Sequence, residues 1–188
     1  AEVKVRESLF SAKQIVAMAV GTALYAALTI PFNLITIPGV WLVAVRPTVA
    51  IPMLFGFVFG PITGFVSGLL GNILSDAFSW GGFYWNWDIG NGLLGAVPGI
   101  GYYIVKHTDW TKARALLTTA VLAVIASLVG IGFSVLTDYV FQIGLNTIEA
   151  AMIEFWPTFV TDAVNGFILT PILLYAYAAA TAGRARRV

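Results

Sequence analysis

Apolar residues run through this chain in blocks that contain no charge, and the blocks are too long for ordinary soluble helices. Five stretches lack Asp, Glu, Lys and Arg: 14–45, 47–75, 89–105, 115–137 and 163–183, with 32, 29, 17, 23 and 21 residues. A helix rising ~1.5 Å per residue crosses ~30 Å of hydrocarbon in ~20 residues. The first two blocks exceed one span and carry turn signals: Pro31, Asn33, Pro38 and Gly39 in the first, Gly60-Pro61 in the second. The pattern predicts six helices, about 12–31, 46–59, 61–78, 88–106, 113–140 and 156–182. The second is short, with Pro47 and Pro52 near its start. None of the blocks alternates with period two, and Ala and Leu are abundant, which excludes a membrane barrel.

Composition sharpens this. The 188 residues are 59% hydrophobic and only 10% charged, against roughly 25% charged in a typical soluble protein. A soluble globule and a disordered chain are both excluded. The expected fold is all-α, an integral-membrane six-helix bundle forming one domain over residues 1–188. The charges supply an orientation. Lys4, Arg6, Lys13, Lys106, Lys112, Arg114, Arg184, Arg186 and Arg187 fall on one side of six spans, so that side and both termini are expected to be cytoplasmic. Arg46 alone lies at the other face, with Asp76, Asp88, Asp138, Glu149, Glu154 and Asp162. The first apolar segment runs on into a helix, without the cleavage region of a signal peptide.

Chemistry is limited by what is missing. There is no cysteine and one histidine, His107. Thiolate sites and multi-histidine metal sites are therefore excluded, and no cofactor is expected. No Gly-Lys pair occurs, so the chain has no Walker A phosphate loop. The reading is of a protein that is not an enzyme.

Polar groups concentrate at the outer ends of the helices. Gly60, Gly64, Gly68, Asn72 and Asp76 stand four apart on the third helix, a small-residue stripe ending in an amide and a carboxylate. Asp88 with Asn91, and Asp162 with Asn165, are each three apart, and Asp138 with Gln142 four apart. Four helices thus offer a carboxylate and an amide at one depth. Half of residues 79–88 are aromatic, including Trp80, Tyr84, Trp85 and Trp87. Such rings either form an interfacial belt or wall a pocket. Ionisable groups in a bilayer face a cavity, water or a partner. An outer pocket for a small polar aromatic solute, neutral or cationic, follows from the combination. The apolar loop 32–46, with Trp41 and Arg46, is read as a lid or as an interfacial loop. Ala19, Ala23 and Ala27 form a flat face on the first helix, suited to this chain's own helices or to a separate membrane subunit.

Several segments together resemble a known family. They are the alanine face, Arg46-Pro47, the run Phe59-Gly60-Pro61-Ile62-Thr63-Gly64-Phe65, and Gly68-Leu69-Leu70-Gly71-Asn72-Ile73-Leu74-Ser75-Asp76. The run Trp85-Asn86-Trp87-Asp88-Ile89-Gly90-Asn91-Gly92-Leu93-Leu94-Gly95 completes them. The chain resembles the substrate-binding S components of energy-coupling factor (ECF) vitamin transporters, nearest the hydroxymethylpyrimidine- and pyridoxine-like branch. The resemblance implies capture from outside of thiamine, its pyrimidine precursor or a pyridoxine-like compound, with riboflavin left open behind these three. It implies docking through Ala19, Ala23 and Ala27 onto a transmembrane coupling subunit driven by two cytosolic ATPases. By position it implies ligand contacts from Asn72, Asp76, Trp85, Asp88, Asn91 and Asp162. The alternative from another class is a stand-alone proton-coupled carrier or channel that uses the aspartates as relays.

Overall fold

A computed structural model describes residues 10–36, 44–105 and 108–185. Among these the chain is all-helical: α1 (Ala12–Phe32), a 3-10 turn (Pro47–Val49) leading into α2 (Ala50–Phe59), α3 (Pro61–Ser79), α4 (Trp85–Val105), α5 (Ala113–Val140) and α6 (Ile148–Ala185). The one β pairing among the described residues is the isolated bridge Thr36–Ala44, which closes the base of the first loop.

Local chemistry explains most boundaries. Ser11 accepts from the Gln14 amide nitrogen while the Gln14 side chain accepts from the Ser11 amide nitrogen, a reciprocal cap that starts α1. Gly60, at φ 101°, makes the sharp corner between α2 and α3, and Pro61 opens α3 with its φ already set. Three starts depart from the sequence pattern, among them that of α2, which follows the 3-10 turn at Ala50 rather than beginning at 46. α4 begins at Trp85 rather than 88, so Trp85, Asn86 and Trp87 ride on its first turn. α6 begins at Ile148 rather than 156, with Pro157 and Pro171 inside it. Proline deletes one backbone donor and crowds one turn, and a helix packed along its length tolerates that loss.

Of these helices, α1, α5 and α6 are long and apolar enough to cross a membrane by length and composition. α3 and α4 have the length, at 19 and 21 residues, but glycine, asparagine and aspartate dilute them. Their place in the packing accounts for this. α3 lies against α4 and α1, while α4 also touches α5 and α2. α5 pairs with α6, and short α2 sits among α4, α3, α6 and α1. α3 and α4 bury their glycine, asparagine and aspartate residues against these neighbours.

The surface is correspondingly inverted. Val16, Val20, Leu24, Leu28, Leu117, Val121, Ile125, Leu128, Ile168 and Ile172 are exposed, whereas Asn72, Asp76, Asn86, Asp88, Asn91, Asp138 and Asp162 are buried. Lipid accepts the first set at no cost, and the second set must find partners inside.

α1 separates its two small-residue faces. Ala17, Gly21, Tyr25 and Thr29 are buried against the protein. Ala19, Ala23 and Ala27 are exposed on the opposite side, so this chain's own helices do not use the alanine face.

The α3–α4 contact is backbone on backbone. A Cβ built on Gly64 would collide with the Gly95 carbonyl, one on Gly95 with the Gly64 carbonyl, and one on Gly68 with the Asn91 carbonyl. Gly132 on α5 has nothing within 4 Å of such a Cβ. Gly64→Val should therefore destabilise the detergent-solubilised protein by about 3 kcal/mol or prevent folding. Gly132→Ala should leave its melting temperature unchanged or raise it by the equivalent of up to ~1 kcal/mol. Equal melting temperatures for the two variants would mean that the helices do not meet through these glycines.

Candidate functional site

The C-terminal ends of α1, α3 and α5 and the N-terminal parts of α2, α4 and α6 meet at one end of the molecule, and the polar side chains gather there. Close α3–α4 approach brings Asn72 against Asp88. The Asn72 amide nitrogen donates to Asp76 Oδ2 at 2.8 Å and to Asp88 Oδ1 at 2.9 Å. Asn72 is 1% exposed and Asp88 fully buried. One amide thus joins two carboxylates on two helices and separates their charges.

Next to it lies a cavity of about 100 Å³. Asn72 and Asp76 contribute its α3 wall, with Asn33 from the end of α1 and Arg46 before the 3-10 turn. Trp80, Tyr84 and Trp87 supply aromatic surface, and Glu154 and Thr158 come from α6. Ala44 completes the lining.

Each wall is braced from behind. Arg46 Nη2 meets Asp162 Oδ2 at 3.4 Å, with the guanidinium 12% and the carboxylate 1% exposed. That pair ties the end of the first loop to α6. Asn33 donates to Ser75 Oγ and Ser79 Oγ, both at 3.0 Å, holding α1 to α3. Thr29 and Thr48 hydroxyls meet at 2.8 Å between α1 and the 3-10 turn. Tyr25 donates its hydroxyl to Asn91 Oδ1 at 2.6 Å, and Asn91 donates to the Trp87 carbonyl at 2.9 Å. Asp138 accepts from Trp87 Nε1 at 2.6 Å and from the Asn86 amide at 2.7 Å. The indole facing the cavity is therefore oriented from α5.

The residues expected from sequence divide into groups. Asn72, Asp76, Trp80, Tyr84 and Arg46 line the cavity. Asp88 and Asp162 stand behind it as partners of Asn72 and Arg46. Asn91 and Asp138 lie further back and hold Tyr25, Trp87 and Asn86. Trp85 is exposed and meets the edge of Phe141, while Asn165 is half-buried and outside the lining. Trp41 and the apolar loop centre lie outside the described residues. Gln142 does not share a face with Asp138, because α5 ends at Val140. Gln142 is in the left-handed region at φ 55°, and its exposed side chain donates to the Tyr139 carbonyl.

Five lining residues were not among the contacts expected from sequence: Asn33, Ala44, Trp87, Glu154 and Thr158. Asn33 reads as a turn residue after Pro31, and Trp87 as one indole among several. Glu154 and Thr158 are four apart, a shared-face signal hidden because the expected sixth helix begins at 156 and leaves Glu154 in the loop before it.

Comparison with known proteins gives the family. The model for the ECF-type riboflavin transporter, S component, matches residues 9–179. The chain belongs to this S-component family. It is therefore a membrane protein of transport, of the substrate-binding subunit type rather than an enzyme family. A UPF0397 protein of Aliivibrio fischeri strain MJ11 is 30% identical over 165 residues, 85% of this chain and 89% of the relative. A UPF0397 protein of Vibrio atlanticus is 32% identical over 132 residues, 69% of this chain and 71% of the relative. A Streptococcus gordonii UPF0397 protein is 35% identical over 98 residues, 52% of this chain, and this chain spans half of that relative's length. No solved structure matches the chain. The family resemblance read from the helix motifs is borne out, and the matching description names riboflavin rather than a pyrimidine or pyridoxine compound.

The Asp138 clamp of this S component is testable. Asp138→Leu leaves the Trp87 indole N–H without its acceptor, at ~1–3 kcal/mol for a buried group, while the Asn86 amide keeps the Ser134 carbonyl and the Thr137 hydroxyl. The melting temperature in detergent should fall accordingly, and Asp138→Asn, which keeps one acceptor, should lose less. Equal melting of Asp138→Leu and the parent protein would show that the clamp carries no energy.

Proposed function

We propose that this S component captures riboflavin or a closely related flavin from outside the cell for ATP-driven uptake by partner subunits. The observation that carries the reading is the cavity itself, with three aromatic side chains and a set of hydrogen-bonding groups at one end of the membrane helices. Indole and phenol faces stack on a flat heterocycle, and the amide and carboxylate oxygens accept from its N–H and O–H groups. The family's description supplies the flavin. Thiamine, hydroxymethylpyrimidine and pyridoxine-like compounds are the competing vitamins that the same chemistry admits.

In this reading six helices cross the cytoplasmic membrane of a prokaryote. The basic residues lie inside with both termini, and the cavity opens outward. Arg46 and Trp41 belong to the lid. Asn72, Asp76, Trp80 and Tyr84 contact the solute, with Asp88, Asn91, Asp138 and Asp162 as their support. Trp85 and Asn165 lie outside the cavity and have the weaker claim. Ala19, Ala23 and Ala27 dock on a transmembrane coupling subunit, which two cytosolic ATPases drive. Exposure of these alanines on the far side from Gly21 and Tyr25 supports this use of the face.

Native mass spectrometry of the purified protein, followed by titration with the four vitamins, tests the ligand. Riboflavin should bind at least tenfold more tightly than the others, about 1.4 kcal/mol. Tighter thiamine, hydroxymethylpyrimidine or pyridoxine binding would reassign the substrate. Vitamin uptake by this chain alone in liposomes would instead favour the stand-alone carrier. Ala23→Trp should keep vitamin affinity within about twofold while abolishing co-purification with the coupling subunit, because the bulk lands on an exposed face. Intact assembly of that variant would move the docking face elsewhere.

A further inference from the structure

Asn72 has both amide hydrogens committed, one to Asp76 Oδ2 and one to Asp88 Oδ1. Carboxylate oxygens accept and do not donate, so a flipped amide would set its carbonyl against two acceptors. Its orientation is therefore set chemically. The carbonyl oxygen, Oδ1, is what remains, and it is buried without a hydrogen-bond partner. Asn72 lines the cavity. A buried acceptor left unpaired is costly, and a donor on a bound solute would recover that cost.

Asn33 also lines the cavity, and its amide donates to Ser75 and Ser79, but hydroxyls donate as well as accept, so its direction is not locked as that of Asn72 is. Asp76 and Glu154 add carboxylates, and neither Glu154 oxygen has a side-chain donor among the described residues. On the donor side, Trp87 Nε1 is held by Asp138, the Thr158 hydroxyl donates to the Glu154 carbonyl and Arg46 gives one N–H to Asp162, so the donors left to the lining are the other Arg46 N–H groups, the Trp80 indole and the Tyr84 hydroxyl, none of them beside Asn72 Oδ1 within hydrogen-bond distance.

We propose that Asn72 is a specificity-determining residue, locked by Asp76 and Asp88 as a hydrogen-bond acceptor, so that the site takes solutes presenting N–H or O–H donors. An otherwise similar ring compound that presents acceptors there is rejected. For the flavin on which this inference rests, the donors are the ring N3–H and the hydroxyls of the sugar-alcohol chain.

The test uses the full chain in detergent micelles and flavin fluorescence quenching with riboflavin, 3-methylriboflavin and lumiflavin as probes. The methyl group removes the ring donor, and lumiflavin lacks the polyol. At least one analogue should bind tenfold or more weakly than riboflavin to the parent protein. In Asn72→Leu that discrimination should shrink to under threefold, with riboflavin itself weakened. Both analogues binding as tightly as riboflavin, or discrimination that survives Asn72→Leu, would overturn the assignment while leaving flavin capture standing. Absence of binding by all three flavins to the parent protein would overturn the flavin reading and this inference with it. A ligand-free arm tests the lock. Asn72→Asp gathers three carboxylates and should lower the melting temperature or expression sharply. Adding Asp88→Asn returns a donor to the pair and should restore part of the loss. No recovery in the double variant would refute the locked amide.

Discussion

Two helices can bring a buried amide between two buried carboxylates only if their backbones come within touching distance. In this protein α3 and α4 do so where Gly64 meets Gly95 and Gly68 meets Asn91. One helical turn beyond Gly68 stands Asn72, and one turn beyond that Asp76. The same four-residue spacing that removes side chains from the lower part of the stripe places polar ones on its upper part. Asn72 then reaches Asp88 across the interface as well as Asp76 along its own helix. A single methyl group on either glycine would push the helices apart and take the amide out of reach. The packing of small residues and the polar site are two ends of one contact.

Around this contact the molecule is organised inside out. Exposed side chains on α1, α5 and α6 are largely apolar, many of them Leu, Ile, Val and Ala, while the aspartates and asparagines of the network are enclosed. In hydrocarbon an unpaired polar group has no water to turn to, so each must be answered by another side chain or by a solute. Most are answered: Asp138 by Trp87 and Asn86, Asn91 by Tyr25, and Asp162 on one oxygen by Arg46. The exceptions include Asn72 Oδ1, Asp88 Oδ2 and Asp162 Oδ1, and two of these three belong to the network joining α3 and α4. Unanswered polarity beside a cavity is where an S component has a use for it.

How much of this was legible beforehand varies residue by residue. Asn72 and Asp76 were visible because both lie on one helix, four residues apart, at the end of a glycine stripe. Asp88 and Asp162 were visible as charges at the borders of apolar blocks, but not as partners of Asn72 and Arg46, since those pairs are 16 and 116 residues apart. Asn33, Glu154 and Thr158 escaped because each sits beside a proline or in a segment that reads as a loop. Asp138 with Gln142 looked like a helical pair until α5 proved to end two residues before the glutamine.

The sequence alone determined the helical character of the chain and the positions of most helix boundaries. It also determined the end at which polarity gathers and the family to which the motifs point. These follow from local quantities: the length of an apolar run, the spacing of residues along one helix, and the turn chemistry of Gly and Pro. Only the tertiary structure decided which carboxylate faces the cavity and which braces a wall. It alone separated the two faces of α1 into a buried one and a free one, and it alone set the direction of the Asn72 amide. Those outcomes depend on hydrogen bonds between residues far apart in the chain, and no periodicity within a helix encodes the partner that waits on another.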